Sequence, residues 1–96
     1  MLVRAIGPGL AAFGVTDVLP DPRLEVRDAT TSIAENDNWD AGLAPVFAQA
    51  GAFALPASSR DAALVLTLTA GRSYTAQVSG AGVATGEALV EIYEVP

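Results

Sequence analysis

Turn-forming residues interrupt this chain so often that only short elements fit between them. Gly7-Pro8-Gly9, Pro20-Asp21-Pro22, Asp28-Ala29-Thr30, the polar run 35–42, Pro56 with Ser58-Ser59, Ala70-Gly71 and the glycine-rich residues 80–86 all favour reversals over continued helix or strand. Between them apolar residues recur with period two. Leu24 and Val26 alternate with Glu25 and Arg27, and Leu64, Leu66 and Leu68 share one face, as do Tyr74, Ala76 and Val78, and Ala88, Val90 and Ile92. The spacing predicts six short strands at 2–6, 24–27, 32–35, 62–69, 72–79 and 87–95, with Ile33 facing inward. Hairpins are expected at 28–30, at 70–71 and through 80–86, and residues 17–22 are read as a loop because of their two prolines. Residues 9–14 are allowed a helical turn at most. Leu43, Val46, Phe47 and Ala50 fall at i, i+3, i+4 and i+7 and predict one short amphipathic helix, ended by Gly51. The expected fold is all-β, an antiparallel β-sandwich of jelly-roll-like character with one short helix.

Composition limits what such a fold can do. Of 96 residues 51% are hydrophobic, enough for one domain, yet nineteen are alanine, so the core is thin. The chain is expected to be a single module, 1–96. Histidine and cysteine are both absent, which removes the usual neutral-pH general base, the thiol nucleophile, the soft metal ligands and disulfide staples together. No enzyme is expected. The net charge of −6 disfavours nucleic acid as a partner. No apolar run approaches the ~20 residues of a membrane-spanning helix, so membrane insertion is not expected, and Gly7-Pro8-Gly9 breaks what would otherwise be the apolar core of a leader. An export signal, if used, is expected outside this sequence.

Three local features carry candidate chemistry. In residues 80–86 the glycine spacing is wrong for a dinucleotide fingerprint and a strand follows instead of a helix, so a β-connection is expected. The run Glu35-Asn36-Asp37-Asn38-Trp39-Asp40 places oxygen-bearing side chains on a loop, as a hard cation needs. Asp28, Asn36, Asp37, Asn38 and Asp40 are therefore the candidate calcium ligands. Ala41 and Phe47 stand where an EF-hand requires glycine and glutamate. The alternative is that these side chains accept local backbone hydrogen bonds, with no cofactor at all, while Trp39 pins the loop to the sandwich. Trp39 and Tyr93 are the candidate ligand-binding aromatics, suited to stacking on a polysaccharide if exposed.

Residues 24–28 (LEVRD), 32–39 (SIAENDNW), 62–65 (AALV), 70–80 (AGRSYTAQVSG) and 86–94 (GEALVEIYE) resemble the bacterial pre-peptidase C-terminal type of β-sandwich, a module repeated in large exported bacterial proteins. The opening LVRAIGPGL is similar to the recurring start of a variant of that module. The resemblance covers nearly the whole chain and rests on structural motifs. It implies a non-catalytic binding or spacer module of a secreted or cell-surface protein, with calcium at the polar turn in some members. Sequences of this type usually carry further β-rich sequence before the first strand, so an upstream strand is expected to be missing here. A second expectation follows: a self-assembling structural subunit, oligomer or extracellular fibre, completed by strand pairing with another protein domain or another copy of itself. Carbohydrate binding is a third.

Overall fold

The computed structural model describes residues 1–80 and 85–94; the central part of the 80–86 connection and the end of the strand expected to reach residue 95 lie outside the described residues. Among the described residues six strands form two three-stranded antiparallel sheets, with one short α-helix. They are β1 (Leu2–Ile6), β2 (Pro22–Arg27), β3 (Ser32–Asn36), β4 (Ala62–Val65), β5 (Thr75–Gly80) and β6 (Leu89–Tyr93), and the helix α1 is Ala44–Ala50. One sheet has the order β4-β1-β6 and the other β3-β2-β5. The all-β sandwich expected from the period-two pattern is therefore the fold.

The connectivity differs from a chain of hairpins. Among the described residues only β2 and β3 are adjacent both in sequence and in a sheet. β4 and β5 lie in different sheets, as do β5 and β6, so the 70–71 turn carries the chain across the sandwich and neither pair forms a hairpin. Strand length explains the error. β4 stops at Val65 and β5 starts at Thr75, leaving a nine-residue connection, far longer than a two-residue hairpin loop. Leu66 is only half-buried and Leu68 does not continue the ladder, although both keep the alternating pattern.

β1 is the axis of the molecule. It is buried at all five positions because each of its faces meets a different layer. Val3 and Ala5 pack with Leu24 and Val26 of β2 and with Ala62 and Leu64 of β4, forming the core between the sheets. Leu2 and Ile6, on the opposite face, pack with Trp39, Phe47, Leu55 and Ala63 beneath α1 and its flanking loops. A thin, alanine-rich core is thus split in two, and α1 with the loop through Leu55 forms a third layer over one sheet.

Local chemistry accounts for the smaller elements. Gly51 ends α1 in the left-handed region at φ 77°, where its N–H reaches Ala48 O, as expected for a glycine just after a helix. Residues Pro8–Phe13 form a 3₁₀ turn, with proline where the missing N–H costs nothing. β2 begins at Pro22, inside the stretch read as loop. Proline is tolerated there because the first residue of a strand need not donate to the ladder. The register of the β2–β3 hairpin shifts between Val26 and Arg27, an irregularity at the turn end of the hairpin. Ala34, opposite Val26, faces the core, and Ile33 is 42% exposed, which corrects the expectation that Ile33 points inward.

Two glycines are required by close approach. A Cβ on Gly7 would lie 2.0 Å from Leu19 O, and one on Gly86 would lie 2.6 Å from the Val18 and Leu19 backbone. Leu19 N donates to Glu87 O and Glu87 N donates to Asp17 O, so the segment around Val18 wedges between these glycines, beside β6, where β1 peels away.

Candidate functional site

The turn from Asn36 to Asp40 leaves the end of β3 and enters the third layer. The structure brings Asn36, Asp37, Asn38 and Asp40 together in this turn, but Asp28 is at the other end of β3. With Asn36 opposite Leu24 and Asp28 just past Arg27, a strand length of roughly 13 Å separates them. Five of the turn's side-chain polar atoms have local partners. Asn36 Oδ1 accepts from Ala63 N at 3.1 Å and Asn36 Nδ2 donates to Asn38 O at 3.1 Å. Asn38 Nδ2 donates to Asp37 Oδ1 at 3.0 Å, and Asp40 Oδ1 accepts from Gly42 N at 2.9 Å at the start of a 3₁₀ turn. Asp28 Oδ1 accepts from Thr30 N and Thr31 N, each at 2.8 Å, and these bonds hold its carboxyl below the usual carboxylate range. Among the described residues no three acidic side chains converge as a cation would require.

Trp39 is in the core, 6% exposed, and so presents no face to a sugar. Its indole N–H lies 3.1 Å from both Pro56 O and Ser59 Oγ, its backbone N–H donates to Asp61 O, and its ring stands 4.9 Å from that of Phe47. The polar turn is thus anchored by its aromatic residue. Tyr93 is half-buried against the same layer and donates to Glu91 Oε2 at 2.7 Å. That bond, with burial and the nearby negative charge, raises the phenol above its usual value of 10.

Among the described residues two fully buried ionisable side chains, singled out for no role from sequence, organise the molecule. Arg4 sits at the centre of β1, 0% exposed. Its Nε donates to Glu91 Oε1 at 2.9 Å and its Nη1 to Phe53 O at 2.7 Å, while its Nη2 stands 2.9 Å from the same Glu91 oxygen, off the hydrogen-bond line. The guanidinium carbon lies 4.6 Å and 4.5 Å from the ring centroids of Phe47 and Phe53, so two aromatic faces enclose the cation. Asp61, just before β4, is also buried. Its Oδ1 accepts from Gly7 N at 2.7 Å and Gly9 N at 3.1 Å, and its Oδ2 accepts from Ser59 Oγ at 2.8 Å. Arg4 ties β1 to β6 and the third layer; Asp61 ties the turn after β1 to the entry of β4.

Both groups are turned inward, away from solvent. Both oxygens of Asp61 are engaged by the protein, and the Arg4 cation is enclosed by rings, a carbonyl and a carboxylate. The sequence signal for Arg4 was a single charged residue at the middle of an apolar strand, on the same face as Leu2 and Ile6. Asp61 carried no comparable signal, since Ser58-Ser59-Arg60-Asp61 reads as a cap or a turn into a strand.

Two surface depressions are formed among the described residues. A shallow polar depression is lined by Arg23, Glu35, Asn36 and Asp37, of which Arg23 and Glu35 form an ion pair. An apolar groove of about 340 Å³ runs between Pro8, Phe13, Phe53 and Pro56. No helix among the described residues is long and apolar enough to cross a membrane. No known protein family, curated protein or solved structure matches the chain.

Proposed function

We propose that this chain is a non-catalytic binding or spacer module of an exported bacterial protein. The observation that carries the reading is the use made of its two fully buried ionisable side chains. Arg4 and Asp61 are spent on tying backbone segments together, and an interior organised in this way supports a module whose value lies in its shape. The resemblance of the NDNW turn and the Gly-x-x-Tyr strand to pre-peptidase C-terminal modules supports the same class and a secreted or cell-surface setting. The absence of cysteine from the sequence suits a fold that does not depend on oxidation state.

The reading is tested by fusing the chain to a reporter enzyme carrying a bacterial export signal. The expected result is a protease-resistant fusion outside the cytoplasm whose reporter turnover is unchanged. Degradation of the chain portion after export would overturn the proposal. So would hydrolysis of ester, glycoside or phosphoester substrates by the purified chain.

A further inference from the structure

β6 is an edge strand of its sheet among the described residues, and it is unfinished on the side that should be core. Its register with β1 pairs Val3 with Ile92 and Ala5 with Val90. Val90 and Ile92 therefore point to the same face as Val3 and Ala5, the face on which the second sheet packs. Val3 and Ala5 are buried there, yet Val90 is 43% and Ile92 61% exposed. The far edge of the same sheet is occupied: Ala63 N of β4 donates to Asn36 Oδ1, and Asp61 O accepts from Trp39 N. One edge is closed by the chain's own turn and the other carries exposed apolar side chains, the pattern that invites another strand.

The sequence of β6 is compatible with a second copy of itself as the occupant. An antiparallel partner strand sets residues opposite one another in pairs of constant sum. If a second copy of β6 is placed on a two-fold axis through Val90, Val90 faces Val90, Ala88 faces Ile92, and Leu89 faces Glu91. The apolar face then continues without a break across the junction, and no carboxylate stands opposite another. The neighbouring register, with Val90 opposite Ile92, sets Glu91 against Glu91 and is disfavoured by like charge. Glu91 is moreover drawn back onto Arg4, so its charge is compensated within its own copy.

We infer that this chain forms a closed two-fold dimer by antiparallel pairing of β6 with β6 of a second copy, centred on Val90. The two sheets merge into one of six strands, ordered β4-β1-β6-β6-β1-β4. Because the contact is isologous and consumes the same edge on both copies, it ends at two chains and does not propagate as a fibre.

The test uses the intact chain, which has no cysteine of its own. Light scattering coupled to size exclusion is expected to give twice the 9.8 kDa chain mass at high concentration. Ile92→Glu, a change at an exposed position, is expected to give the single-chain mass with an unchanged circular dichroism spectrum. Opposed residues of an antiparallel pair have Cα atoms about 4.5–5.5 Å apart, within disulfide range. Val90→Cys is therefore expected to form a covalent dimer under mild oxidation, while Ile33→Cys, equally exposed on β3, does not. A single-chain mass up to about 1 mM would overturn the inference. Polymers larger than two chains, or equal cross-linking of the two cysteine variants, would overturn it as well.

Discussion

Arg4 shows how one residue sets the character of the whole core. A guanidinium taken wholly out of water is tolerated because a carboxylate, a carbonyl and two aromatic rings surround it. Removing one partner leaves the charge stranded, so Glu91→Ala is expected to lower the unfolding free energy by about 3 kcal/mol in urea titrations. The double variant Arg4→Met with Glu91→Leu is expected to recover most of that loss, because it removes both charges and keeps the volume. Tyr93 adds a pH dependence at the same place. Its folded-state pKa is raised, so its contribution is fully present below pH 10 and is lost as pH rises through the higher folded-state value. Alkaline unfolding followed by circular dichroism is expected to lose this component in Tyr93→Phe. The acidic arm runs the other way at Asp28, whose lowered pKa yields stability above the ordinary carboxylate range that disappears on further acidification.

At the level of elements, the boundaries follow from steric fit as much as from periodicity. Gly7 ends β1 because only a residue without Cβ passes Leu19 O, and its N–H is then free to meet Asp61. Gly7→Ala is expected to cost at least about 2 kcal/mol, read as a fall in the urea midpoint at unchanged slope. The helix α1, at seven residues, is too short to stand alone and is held by the side chain it buries. Phe47→Ala removes the ring shared by Trp39 and Arg4, and a loss of about 4 kcal/mol is expected in thermal unfolding. The polar turn before α1 was legible as a turn, and its Asx-type bonds are those its residues favour. What sequence left open was whether its oxygens gather around a cation. Asn36 is committed to the β4 edge and Asp28 is a strand length away. Calcium added after chelator treatment is accordingly expected to leave Tm unchanged; a rise with calcium concentration would show a cation bound to the folded state.

Across the whole molecule, the division of labour between sequence and tertiary structure is physical. Alternation with period two is a local property of each strand, so the all-β class, the inward faces of β2 and β5, and the helix ended by Gly51 could all be read along the chain, whereas the apolar face of β6 is left exposed. The same is true of the excluded chemistry, since no fold supplies a histidine or thiol that the sequence lacks. Strand pairing is not local. Which strand lies beside which depends on closing loops over long sequence distances. The 70–71 turn, plausible as a hairpin by composition, therefore carries the chain to the other sheet. Burial is likewise decided by neighbours. Ile92 and Val3 lie opposite one another on the same face of one sheet, yet one is exposed and the other enclosed, because the second sheet covers β1 and leaves β6 open. Trp39, written into a polar run, becomes core for the same reason, and Arg4, written into an apolar strand, is accommodated because three distant segments converge to enclose it. Sequence by itself determined the kind of elements and the kinds of chemistry ruled out. Tertiary structure decided which faces found partners, because only the packed chain brings residues such as Arg4 and Glu91 into contact.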